Sequence, residues 1–458
     1  MKRWTLFVLF FCLSILSLGF VIQNRVVSGQ STAGWTQTYT GSQDEDATSV
    51  VQTSDGGYAM AGWVQVSGHY SGNISVGYDF LLVKTDSVGN MLWNKTYGGQ
   101  GHDEANSMIQ TSDGGYAIAG YTESYDTGSF NFKLVKTDSS GNMMWNKTYG
   151  DNAMAQCVVQ TSDGGYALVG ACGSEFTGFW LVKTDSSGNM MWNTTYGKIG
   201  PDAYSVIQTS DGGYAIAGSS AVEGNFWLVK TDSSGSMLWN KTYGRAGYQI
   251  AYSVIQTVDG GYALAGFTAP IPGVPGSEDV WWVKTDSSGN LQWEQTYGGN
   301  GDDWARAVVQ TGDGGYAIAG TTGSYGQGYP IGGGVYQHVF SFWLIKIDSS
   351  GNMLWSQTYG GTNGALANSI VRTSDGGYAL AGNIRTLGPN ALYLVKTDAR
   401  GFIPSSASPS PSSSSSPALS SQNPSPTIPE FPSLMAPLLI ALIVFALAIC
   451  KKTTPKPR

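Results

Sequence analysis

Charge is scarce in this 458-residue chain: Asp, Glu, Lys and Arg together make up 12%. Helical bundles and coiled coils build their solvent faces from charged residues, and no stretch of the body holds a helical period, so both are excluded. Basic residues are the scarcer kind, 24 against 32 acidic, for a net charge of −8. That balance leaves no basic face for a phosphate backbone and excludes nucleic acid as a partner. Cysteine occurs four times, and Cys12 and Cys450 lie in terminal apolar segments. With only Cys157 and Cys172 in the body, a disulfide-stapled scaffold is excluded. Haem attachment through Cys-x-x-Cys-His and a Gly-x-Ser-x-Gly nucleophile elbow are both missing. The three histidines, His69, His102 and His338, show no metal-ligand spacing, so neither metal nor cofactor is expected.

What is abundant is glycine, 63 residues, and aromatic side chains, at 12%. That mix suits short strands joined by tight turns. The sequence Asp-Gly-Gly-Tyr occurs seven times, beginning at Asp55, Asp113, Asp163, Asp211, Asp259, Asp313 and Asp375, at intervals of 48 to 62 residues. Each repeat reads as four strands. In the second copy they are Ala105 to Thr111, Gly115 to Gly120, Phe132 to Thr137 and Asn142 to Tyr149. Ser112 to Gly115 is expected to join the first two strands, with Asp113-Gly114 supplying the positive φ angles of a hairpin turn, and Asp138 to Asn142 joins the last two by the same logic.

Six copies carry a fourth-strand tryptophan: Trp93, Trp145, Trp192, Trp239, Trp293 and Trp355. The seventh ends at Lys396-Thr397-Asp398 without one, while a matching strand, Trp35 to Tyr39, stands alone ahead of the first copy. A linear solenoid has no use for that permutation. A ring does, because the N-terminal strand completes the last blade and leaves no long open edge. The expected fold is all-β: a seven-bladed β-propeller of four-stranded antiparallel blades over residues 34–403. An alanine opens the first strand of every copy, from Ala47 and Ala105 to Ala367, where converging blades need a small side chain.

On these repeats the body resembles secreted archaeal and bacterial propellers with Asp-Gly-Gly-Tyr repeats. It is similar, more distantly, to quinoprotein and kelch propellers. Asp86, Gly89 and Trp93 resemble the quinoprotein docking motif with one residue fewer, and the sialidase Asp-box with different spacing. A quinoprotein likeness implies calcium ligands and often a vicinal cysteine pair, which this chain lacks. A sialidase likeness implies an arginine cluster, for which Arg245, Arg306 and Arg385 show no compelling spacing.

The ends place the body outside a cell. Residues 1–29 read as a signal peptide, with Lys2 and Arg3, an apolar stretch from Leu6 to Ile22, and the small residues Val27-Ser28-Gly29; an uncleaved anchor is the alternative. Residues 404–428 are mostly Ser and Pro, a stalk reaching at most roughly 75 Å. Residues 434–450 form an apolar transmembrane segment and 451–458 a basic cytoplasmic tail. With Pro429-Glu430-Phe431-Pro432 (residues 429–433) this end resembles the archaeal PEF-type sorting signal, which implies a sorting enzyme as partner; a plain membrane anchor is the other reading.

Strand alternation puts the first-to-second and third-to-fourth turns on one face, which is nearly uniform. The other face carries the variable loops Trp63 to Asp79, Tyr121 to Asn131, Phe267 to Asp279 and Thr321 to Ser341. Binding residues favour such loops on a rigid scaffold. The candidate binding residues are Tyr70, Tyr125, Trp304, Tyr325, Tyr329, Tyr336 and His338, aromatic groups suited to stacking on a sugar or peptide. Loop acids include Asp44, Glu45, Asp46, Asp103, Glu104, Asp302 and Asp303. Sequons stand at Asn73, Asn94, Asn146, Asn193 and Asn240, four of them as Trp-Asn-x-Thr-Tyr. Cys157 and Cys172 flank one hairpin: a two-residue turn sets them a diagonal step apart, a longer loop directly opposite, and a disulfide is expected as one outcome. The function expected is recognition or structure at the cell surface, with a glycan or envelope component as ligand; a glycan-processing hydrolase using the loop acids is the alternative. A central pocket of converging Asp, Glu and Arg with a raised-pKa carboxylate is the signature of the second.

Overall fold

The computed structural model describes residues 34–403 apart from 68–75, 100, 124–128, 151, 174–177, 198–201, 221–223, 270–277, 327, 333–334 and 363. These residues form seven four-stranded antiparallel sheets and one two-stranded hairpin, with no helix among them. Blade 2 comprises Asp103–Gln110, Tyr116–Thr122, Asn131–Thr137 and Met143–Tyr149, within two residues of the sequence expectation at every boundary. Blade 7 comprises Ala365–Arg372, Tyr378–Ile384, Ala391–Thr397 and, as its outer strand, Trp35–Tyr39. The register of that closure runs from Trp35 opposite Lys396 to Tyr39 opposite Leu392. The first strands of successive blades lie against one another all the way round, blade 7 against blade 1 included, and so form the inner wall of a closed ring.

Each blade packs on the next through an apolar layer. Between blades 2 and 3 it contains Phe132, Leu134, Tyr149, Val158, Tyr166, Leu168 and Trp180. Each such side chain contributes roughly 1.5–3 kcal/mol on burial. The seven first-strand alanines are fully buried. Polar contacts reinforce the layers. The side chains of Gln110, Gln160, Gln208, Gln256 and Gln310 each accept from a backbone amide in the first turn of the preceding blade, and Ser374 N donates to Gln52 Oε1 at 2.7 Å across the closure. Each fourth-strand tyrosine does the same on the outer side: Tyr149 OH donates to Gly188 O at 2.6 Å, and Tyr39 OH to Gly89 O at 2.7 Å.

One loop type serves both uniform-face turns, and in it only the glycine, not the Asp-Gly pair, takes the expected positive φ. Thr53 N donates to Gly57 O and Gly56 N to Thr53 O, enclosing three residues with a positive φ only at Gly56, 85°. Asp86 to Asn90 repeats the pattern with Gly89 at 86°. This is a turn closed by a left-handed residue, and an aspartate stays at negative φ within it. Gly89 has a second duty: a Cβ there would come within 2.6 Å of the Trp35 ring, so the turn glycine is where the neighbouring tryptophan docks.

The expected leader, stalk, sorting motif, membrane span and tail all lie outside the described residues. Among the described residues no helix is long and apolar enough to cross a membrane.

Candidate functional site

The uniform face is occupied by its own structure. Asp55 accepts from Thr53 Oγ1 and Gly57 N, and pairs with Lys84 at 2.9 Å; Lys84 is buried and also donates to Thr85 O at 2.7 Å. The same pair recurs in every blade, as Lys136–Asp113, Lys183–Asp163, Lys230–Asp211, Lys284–Asp259, Lys346–Asp313 and Lys396–Asp375. Burial works against the ionised Asp113, but Lys136, Thr111 and the Gly115 amide outweigh it and bring its pKa down to about 2. Asp138, the counterpart of Asp86, accepts from Ser140 N, Asn142 N and Asn142 Nδ2. These carboxylates cap turns.

The variable face differs. Each first strand carries a β-bulge one residue after its alanine, and the bulged residues are Thr48, Asn106, Gln156, Tyr204, Tyr252, Arg306 and Asn368. A bulge re-aims a side chain. All seven are half-buried, on the first strands that line the inner wall. Asn368 Nδ2 donates to Ala47 O, Thr48 Oγ1 to Ala105 O, and Asn106 Nδ2 to Ala155 O, each at 2.8–3.0 Å. Tyr204 and Tyr252 meet edge-on at 5.0 Å, and the Arg306 guanidinium lies 4.1 Å from the Tyr252 ring centre. A cavity of about 170 Å³ opens on this wall, lined by Met154, Gln156, Ala171, Asp202, Ala203 and Tyr204.

Acids gather above this ring. Asp46 accepts from Asn368 Nδ2 at 3.0 Å. Burial pushes its pKa up to about 7, against the lowering by Asn383, the Ala47 amide and the Arg306 charge, with Glu104 raising it further. Glu45 is pushed to about 7 by burial as well. Glu104 bonds His102 Nε2 at 2.6 Å; burial disfavours the imidazolium, but Glu104 outweighs it and raises the His102 pKa. An aromatic chain runs beside them across blades 1 and 2: Trp63, Tyr78, His102, Tyr121 and Phe130, with successive ring centres 4.6–5.7 Å apart. This face thus combines an aromatic chain with the carboxylates of Asp46 and Glu104, and the charges of Glu104 and Arg306 are both felt at Asp46.

The sequence candidates fall unevenly around it. Trp304 stacks on Phe340 at 5.1 Å, lies against Arg306, and donates its indole N–H to the Glu278 carboxylate. Tyr325 is half-exposed, donates to Gly298 O at 2.5 Å, and packs on Trp343. Tyr329 and Tyr336 lie on neighbouring strands of a hairpin, Gly328–Gly332 with Val335–His338, in which Pro330 faces Tyr336 and Gly328 faces His338. The stretch expected as a loop is therefore a short β-ribbon, and its side chains lie outside the described residues, as do Tyr70, Tyr125 and Asn73. Of the other sequons, Asn94, Asn193 and Asn240 are exposed and Asn146 is half-buried. The Asn193 and Asn240 side chains accept the indole N–H of Trp180 and Trp227, each at 3.2 Å.

Of the two readings of Cys157 and Cys172, a disulfide or two packing residues, the register accords with the second. The three-residue turn closed by Thr161 and Gly165 sets Cys157 opposite Val169, and Cys172, an odd three residues further along that strand, points to the other side of the blade and faces Ala153. Cys157 thereby packs in the layer toward blade 4 and Cys172 in the layer toward blade 2, and no bond joins them.

The bulge residues escaped sequence reasoning, although aligning the seven copies on their alanine exposes the next position as one that changes almost every time. No family model matches the chain, and no curated protein matches it. Among solved structures it is similar to Kuenenia stuttgartiensis hydrazine synthase, with a TM-score of 0.50 and 11% identity over 73% of this chain and 92% of that one. It is also similar to the Neurospora crassa Pan2 WD40 domain, with a TM-score of 0.46 and 9% identity over 79% and 98%. A Dyadobacter fermentans protein of unknown function gives 0.42 and 12% over 79% and 98%. At these identities the likeness concerns the propeller fold alone.

Proposed function

We propose that this chain is an extracellular, surface-anchored recognition protein that binds a glycan at the axial mouth of its variable face. The observation that carries the reading is the contrast within one strand. The alanine is the same in seven blades, while the bulged residue beside it is threonine, asparagine, glutamine, tyrosine or arginine. The ring does not require that variety, whereas a ligand spanning the axis does. Amides, carboxylates and tyrosine rings together suit the hydroxyls and apolar faces of sugars. The signal-like leader and anchor-like end support the location.

The hydrolase reading keeps one specific support, the raised pKa of Asp46, a carboxylate that feels the charges of Glu104 and Arg306. Recognition ranks first because Asp46 is already engaged by Asn368. The test is a glycan array on the full chain followed by calorimetry on any hit. Binding lost in Arg306→Ala and Gln156→Ala, without release of reducing ends, supports recognition. Reducing ends released by the wild type and not by Asp46→Asn would establish the hydrolase. An array with no hit, or binding indifferent to both axial substitutions, refutes the axial site.

A further inference from the structure

The junction of blades 5 and 6 repeats the junction of blades 1 and 2 with one change. In both, the chain runs Tyr-Gly-Gly-x-Gly-x-Asp into a buried aspartate, from Tyr97 to Asp103 and from Tyr297 to Asp303. In both, a glycine amide donates to that aspartate at 3.0 Å: Gly99 N to Asp103 Oδ2, and Gly299 N to Asp303 Oδ2. In both, a second aspartate, Asp79 or Asp279, fills the space a Cβ on Gly98 or Gly298 would occupy.

The change is the cation. At the first junction Lys133 reaches back to Asp103 Oδ1 at 2.9 Å, with both side chains buried. Lys133 stands opposite Gly120; its counterpart opposite Gly320 is Trp343. Asp303 is 0% exposed, and its Oδ1 has no hydrogen-bond partner among the described residues; the Trp343 indole N–H has none either. Asp279 Oδ1 and Asp303 Oδ2 lie 1.8 and 3.0 Å from one point, the Cβ position on Gly298. No ion pair among the described residues involves either one. The fold does not demand this charge. At the junction of blades 4 and 5 the same two places hold neutral amides, Asn225 beside Gly244 and Gln249 opposite Thr268.

Two carboxylates brought together out of water cost free energy unless a positive charge joins them. Burial raises the pKa of both, and Asp303 adds to the rise at Asp279. We propose that the junction of blades 5 and 6 binds a hard divalent cation of the calcium class between Asp279 and Asp303, supplying the charge that Lys133 supplies at the junction of blades 1 and 2. The groups gathered there are oxygens: two carboxylates, the Ser324 hydroxyl, which bonds Asp303 at 2.6 Å, and the Gly301 carbonyl, 3.2 Å from that hydroxyl. Oxygen-only sets select calcium over zinc or copper. The site also adjoins the inserted ribbon, since Tyr325 bonds Gly298 O and packs on Trp343. It is independent of the axial reading, because neither aspartate belongs to the bulge ring.

The test is a calcium titration of the chelator-treated full chain, followed by calorimetry, by thermal melting, and by terbium luminescence sensitised through the adjacent aromatic rings. The expected result is one saturable calcium per chain and a raised melting temperature. Asp303→Asn should weaken the affinity by more than about tenfold. Trp343→Lys, which copies blade 2, should abolish calcium binding and melt without calcium as the wild type does with it. Absence of saturable binding by the wild type overturns the proposal; the carboxylates would then share a proton. Unchanged affinity in either variant overturns it as well.

Discussion

Asp163→Asn isolates the ion pair that every blade repeats. Lys183 is buried, and its ammonium donates to Thr184 O at 2.7 Å and pairs with Asp163 at 2.8 Å. Asparagine keeps an acceptor for Gly165 N and Thr161 but strands the buried ammonium without a counter-charge. Breaking a fully buried pair costs about 3–5 kcal/mol, and an exposed pair contributes about 0–1. The Lys183 side chain is 5% exposed and that of Asp163 is 54% exposed, so the cost lies between these limits, at about 2 kcal/mol after solvent screening. With an unfolding entropy of about 2 cal/mol/K per residue, that lowers the melting temperature of a ring this size by roughly 2–3 °C. The pH dependence carries the sign. Burial opposes ionisation, but Lys183, Thr161 and the Gly165 amide bring Asp163 from 3.8 to about 2. A depressed carboxylate stabilises fully above its unfolded value and loses that contribution as pH falls through the folded one. Calorimetric melts of wild type and variant should therefore differ at pH 7 and converge between about pH 4 and pH 2. Adding Lys183→Met to Asp163→Asn should recover part of the loss. A gap that stays constant with pH, or no gap at pH 7, refutes the pair as a source of stability.

Deleting residues 34–40 should leave the strand Ala391–Thr397 as an open edge, giving association on size-exclusion chromatography and a lowered melt; a monomer with wild-type melting would contradict closure. Tyr149→Phe removes the 2.6 Å bond from a buried hydroxyl to Gly188 O and should cost about 1 kcal/mol in denaturant titration; a neutral result would mean that the contact is packing alone. Mass spectrometry of unreduced, digested protein should recover Cys157 and Cys172 in separate peptides, and a linked pair would refute the pairing of Cys157 with Val169. Substituting Ser139 and Ser140 on the uniform face should leave glycan binding intact, and loss of binding there would move the site to the other face.

The ring was legible because its determinants are local and repeated. Seven Asp-Gly-Gly-Tyr turns, six fourth-strand tryptophans and one displaced strand define blade number and closure before any contact is known. The turn geometry was not legible, since Asp-Gly is compatible with two-residue and three-residue loops. The choice is made by Lys84, Thr53 and Gly57, which converge on Asp55 and are far apart in sequence or silent in composition. The cysteine register failed for the same reason: the three-residue turn shifts the pairing by one residue, sets Cys157 opposite Val169 and sends it to the other side of the blade from Cys172. Trp304 and Tyr325 were singled out from their loops, whereas the bulged residues were passed over because a bulge has no signature in periodicity.

Sevenfold repetition lets one chain serve as its own control. Wherever all seven copies agree, as at Ala47 and its counterparts or in the lysine–aspartate pairs, a residue is explained by what any blade needs from its neighbour. Wherever one copy departs, the other six show that the ring closes without that departure. Lys133 and Trp343 occupy equivalent places and leave equivalent aspartates with and without a cation. Tyr252 and Arg306 occupy the place that Thr48 and Asn106 fill with backbone contacts alone. An arginine and a buried carboxylate cost more to hold at an inner wall than a threonine does. A blade that keeps them where its neighbours manage without is where a ligand outside the ring would offset that cost, and the two proposed sites, axial and interblade, are both departures of this kind.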